Sequence, residues 1–185
     1  IQLSIDPKEA IILSLMTNFF NLWDMSVLHN EDYGLMLGEN TRKYLIIPHG
    51  YDMSFGCGIG NPSLGYLINL LPQNIQPQYK ELFYTTAREI FTNPNSLSRM
   101  LQAVDAYPFN DDKEKMREFL KLSFYHYAKY VTSDYFAELT GQTYVTTNVA
   151  LPFASQDEYQ KHMDAFQQSC SRQYITLNNS IISIV

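Results

Sequence analysis

Apolar residues recur at helical spacing through most of this chain, and in one place they form two short blocks instead. The first helical stretch opens at Asp6, with Pro7 at the first helical position and Glu9 at the third. Asp-x-x-Glu is a capping box, in which the cap side chain and the Glu satisfy backbone N–H groups that have no partner inside the helix. Ile12, Leu15, Met16, Phe19, Phe20 and Trp23 then fall on one face, predicting a core-facing helix that delivers Asp24 to a cleft at its far end. Tyr33 to Leu37 and Lys43 to Ile47 predict two strands, joined by a turn over Gly38-Glu39-Asn40-Thr41-Arg42. Leu45, Ile46 and Ile47 run without alternation, as in a strand buried on both faces. Pro48 has no N–H to donate and is expected to end the pairing.

From Leu64 onward the pattern is helical again. A first segment through Leu67, Leu70 and Leu71 stops at Pro72. Pro77 opens a helix through Phe91 with Leu82, Phe83, Ala87, Ile90 and Phe91 inward, and Asn93-Pro94-Asn95 breaks it. A helix over Ser96 to Val104 follows. Asp111 and Glu114 form a second box before a long helix through Val131, whose stripe is Met116, Phe119, Leu120, Phe124, Tyr127 and Val131. A short helix is expected over Asp134 to Leu139, and Gln142 to Pro152 reads as irregular, with a Thr-Val alternation open to a strand. Ser155 and Glu158 make a third box. The last helix is predicted from Gln156 to about Asn178, with Tyr159, Met163, Phe166, Cys170 and Tyr174 on one face. The fold class is therefore mainly α with a minor β part (α+β): one domain over residues 1–185, a helical bundle around a short β-hairpin.

Composition narrows the function classes. A hydrophobic fraction of 45% supplies a sizeable core, and 185 residues fit one domain or one large lobe. Thirteen basic against nineteen acidic side chains leave a net charge of −6, which argues against nucleic acid as a partner and against anionic membrane surfaces. No apolar run reaches the roughly 18 residues of a membrane span; the longest, Ala10 to Phe20, is interrupted by Ser14, Thr17 and Asn18. Cys57 and Cys170 lack metal-site spacing and read as buried thiols or, in an oxidising compartment, as a bridge. Asn178-Asn179-Ser180 is a glycosylation sequon, weakly in favour of secretion.

The chemistry concentrates between Phe19 and Gly60. An acid (Asp24) ends an apolar run, an amide (Asn30) follows, the two strands come next, and a second acid (Asp52) leaves the second strand into a stretch bearing Gly56, Gly58 and Gly60. A protein-kinase site uses this order: one Asp orients the attacking hydroxyl, and a downstream Asn and a post-strand Asp hold the metal that bridges the phosphates. The spacing departs from the usual signature. Asn30 lies six residues after Asp24, one more than usual, and the triplet at the second acid is Asp52-Met53-Ser54 in place of Asp-Phe-Gly. His29 reads as a satisfied loop residue, a phosphate contact or a support for Asp24. The glycine-rich exit is not a Rossmann or P-loop fingerprint. It reads as a flexible loop or as the counterpart of an activation segment.

Leu22-Trp23-Asp24, His29-Asn30-Glu31-Asp32-Tyr33 and Ile47-Pro48-His49-Gly50-Tyr51-Asp52-Met53-Ser54-Phe55-Gly56 resemble the CotH kinase-like family of atypical secreted and spore-coat kinases. In that family a helix runs into a Trp-Asp or Asn-Asp, an Asn precedes an aromatic strand, and a second strand ends in Pro-aromatic-Asp-aromatic-Asp followed by Ser/Thr-Phe-Gly. The stretch at Leu70-Leu71, the helix over Tyr79 to Phe91 and the closing helix with Arg172 extend the likeness over nearly the whole chain as the carboxy-terminal lobe of such a kinase. One position departs: Gly50 stands where the family has the first acid of its pair.

The resemblance implies ATP-dependent phosphoryl transfer to Ser or Thr of secreted or surface proteins. Asp24 would be catalytic, His29, Asn30 and Asp52 would contact the nucleotide, and Asn30 and Asp52 would hold Mg²⁺ or Mn²⁺. No glycine-rich phosphate loop or strand-borne Lys precedes Asp6, so an amino-terminal lobe is expected from a preceding segment. The Gly50 departure keeps open a pseudokinase that acts as a surface adhesin or as a coat or structural protein. Secretion or the cell surface is the expected location on either reading.

Overall fold

The computed structural model describes residues 7–19, 33–37, 44–48, 59, 73–106, 108, 113–141 and 149–182. These residues are mainly helical. Helix α1 is Pro7–Phe19, α2 Gln76–Thr92, α3 Ser96–Ala106, α4 Lys113–Val131, α5 Asp134–Thr140 and α6 Gln156–Ile182. Strands β1 (Tyr33–Leu37) and β2 (Tyr44–Pro48) pair antiparallel, Gly34 opposite Ile47 and Met36 opposite Leu45. The terminal pair sets Tyr33 opposite Pro48, so β2 ends at the proline.

Local chemistry sets the helix ends. Pro94 disfavours a helical Asn93, which is extended (φ −73°, ψ 122°). Its side-chain oxygen accepts the Asn95 N–H at 2.9 Å, and its carbonyl accepts the Ser96 N–H at 3.1 Å, an Asx turn that starts α3. Ser133 caps α5 by accepting the Phe136 N–H at 3.2 Å, and Gly141 ends that helix in the left-handed region at φ 66°. At α6 the Ser155 hydroxyl accepts the Glu158 N–H (3.1 Å) while the Glu158 carboxylate accepts the Ala154 N–H (2.7 Å), a reciprocal cap. At α4 Glu114 turns instead to Arg117, which also binds Asp105 on α3. Asp6 and Asp111, the caps expected at α1 and α4, lie outside the described residues, as do Cys57 and most of 142–152.

Helix α4 is the axis of the bundle: α1, α2, α3, α5 and α6 all pack on it. Its Leu120, Phe124, Tyr127, Ala128 and Val131 meet Leu15 and Phe19 of α1, Phe83, Ala87 and Phe91 of α2, Val104 of α3 and Phe136 of α5. Its opposite side, Phe119, Leu122 and Tyr125, meets Tyr159, Met163, Phe166 and Cys170 of α6 and Phe153 before it. Apart from Phe119, the sequence stripe lies on the first of these faces. Leu122, Ser123, Tyr125 and Ala128 are buried as well, because a helix covered on two sides is apolar nearly all round.

One expected core position is corrected. Ile12 is 48% exposed, and Ile11 is buried with Leu15 and Phe19. Helix α1 carries apolar residues on several sides, so spacing alone does not choose the face; the α2 and α4 surfaces do.

Candidate functional site

Asp24, His29, Asn30 and Asp52, the residues singled out for phosphoryl transfer, lie outside the described residues, and so do Trp23 and Gly50. What the structure describes is the frame before and between them. The carboxy-terminal end of α1 is held firmly. The Ser123 hydroxyl, fully buried on α4, donates to the Phe19 carbonyl at 2.8 Å. The Phe19 ring lies 5.3 Å from that of Phe91 and meets the Tyr127 ring edge-on at 5.4 Å. Asn18 donates to the Ser14 carbonyl at 2.9 Å within the same last turn. Helix α1 also packs against β2. The chain thus leaves α1 toward Asp24 from a fixed point.

A concave site lies between α2 and α5, with a volume of about 520 Å³. Lys80, Tyr84 and Arg88 line it from α2, four residues apart and so on one helical face. Pro77, Glu81 and Thr85 complete the α2 side, and Phe136, Leu139 and Thr140 form the α5 side. The Arg88 guanidinium carbon stands 4.8 Å from the Phe136 ring centroid, a cation–π contact. Tyr84 meets the same ring edge-on at 5.2 Å. Burial, and next the nearby Tyr135, raise the Tyr84 phenol above its usual pKa, keeping it protonated as a donor. The Thr140 hydroxyl donates to the Phe136 carbonyl at 2.8 Å. Leu139 and the neighbouring Tyr135 are largely exposed. Sequence reasoning passed over this cleft. The signal was the Lys80, Tyr84, Arg88 spacing on α2, but its partner wall comes from a helix more than forty residues on and becomes adjacent only in the fold.

A third polar feature ties α4 to α6. Nδ1 of His162 lies 2.6 Å from Glu118 Oε1, and the imidazole packs 4.9 Å from the Phe153 ring. Its evident work is to register the two helices. Among the described residues no group of three or more His, Cys, Asp or Glu side chains is arranged to hold a metal ion. No described helix is long and apolar enough to cross a membrane.

Comparison with known protein families, with curated proteins and with solved structures finds no match to this chain.

Proposed function

We propose that this chain is the larger lobe of an atypical protein kinase of the CotH-like kind, transferring the γ-phosphoryl group of ATP to Ser or Thr of a secreted or surface protein. The observation that carries the reading is the order of groups along the chain: Asp24 after α1, Asn30 before β1, Asp52 after β2. That order supplies, in sequence, the hydroxyl-orienting acid and the two oxygen ligands that such a site needs. In this reading the strand pair carries the site and the helical bundle supports it.

Asp24 accepts the proton of the attacking hydroxyl as its oxygen bonds to the γ-phosphorus and the bond to ADP breaks. Asn30 and Asp52 would hold Mg²⁺ or Mn²⁺ through hard oxygen ligands, and the metal would supply positive charge against the phosphates. His29 stands beside Asn30 as a phosphate contact.

Thermal unfolding of the full-length protein tests it, with ATP plus Mg²⁺ or Mn²⁺ against either component alone. Ligand at a hundred times its dissociation constant stabilises by about 2.7 kcal/mol. The expected result is a metal-dependent rise in Tm in the wild type that Asp52→Ala abolishes without changing the melting of the unliganded protein. Gly50, in place of a family acid, favours a second reading: a non-catalytic surface-binding or coat protein. No shift with any nucleotide–metal pair would reject catalysis and leave that one.

A further inference from the structure

We draw no further inference here: the strongest candidate, the apolar surface that the exposed Tyr135 and Leu139 form on one face of α5, carries nothing, because nothing in the structure shows what covers it.

Discussion

Two hydroxyls in the core of this bundle lead to opposite expectations. The Ser123 hydroxyl is fully buried and gives its proton to the Phe19 carbonyl, across a sequence separation of 104 residues. Ser123→Ala removes this bond from the core, at a cost of about 1 kcal/mol. Urea unfolding should show a lower midpoint at an unchanged slope. The Tyr127 hydroxyl is equally buried but has no hydrogen-bond partner among the described residues. Its ring packs on Phe91 at 4.8 Å and on Phe19 at 5.4 Å, contacts that a phenyl ring keeps. Tyr127→Phe should thus leave the midpoint unchanged or raise it, and a loss of more than about 1 kcal/mol would reveal a partner for the hydroxyl. Neither role was legible in the sequence. A lone Ser in a helix reads as solvent-facing, and Tyr127 reads only as one member of an apolar stripe. The Ser155–Glu158 cap, by contrast, was legible, because both partners sit within one turn and need no tertiary information.

At the level of elements, spacing foretold α2 and α6 more fully than α1 and α4. Helix α2 has polar residues between Phe83, Ala87 and Phe91, so only one face can be buried, and it is the buried one. Tyr159, Met163, Phe166 and Cys170 are likewise the buried set of α6. Helix α4 was assigned one stripe but is covered on two sides, and nothing local announces a second wall. In α1 the apolar residues Ile11, Ile12, Leu15 and Met16 crowd several faces, and the choice falls to the surfaces of α2 and α4. Ile11 is 3% exposed and Ile12 48%. The pair gives a sharp test of the observed face. Ile11→Ala should cost about 2–5 kcal/mol as a core truncation, and Ile12→Ala about 0.5 kcal/mol or less. Equal costs, or the reverse order, would mean that α1 packs through the face the periodicity first suggested. Asp24, His29, Asn30 and Asp52 lie outside the described residues, so only sequence order and a resemblance speak for them.

For the whole molecule, the tyrosine-rich core fixes how stability responds to pH. Burial is the leading cause that raises the phenols of Tyr84, Tyr125, Tyr127, Tyr130 and Tyr159 above the usual 10.0. Each stays protonated in the folded chain at a pH where the unfolded chain has begun to ionise. The folded pKa is the higher one, so the stability these groups contribute is complete below pH 10 and is lost as pH rises beyond it. Tyr127 is the extreme member, fully buried and shifted furthest, and it alone lowers stability by about 1.4 kcal/mol per pH unit above 10. His126 sets the acid side. Burial lowers its pKa below the usual 6.5, so the folded chain holds it neutral while the unfolded chain takes up a proton. Its contribution is complete above pH 6.5 and declines as the medium is acidified. Taken with the tyrosines, it predicts that the described residues contribute a stability plateau between roughly pH 6.5 and 10, with a steeper fall on the alkaline side, where five of these groups act against one. Urea midpoints measured from pH 5 to 11.5 check the shape. The decisive comparison is Tyr127→Phe, because it removes one ionisable group while keeping the packing. Its alkaline fall should begin at the same pH but be shallower by one group's share, about 1.4 kcal/mol per unit. An unchanged alkaline slope in that variant would mean that Tyr127 ionises in the folded chain and that its hydroxyl reaches water.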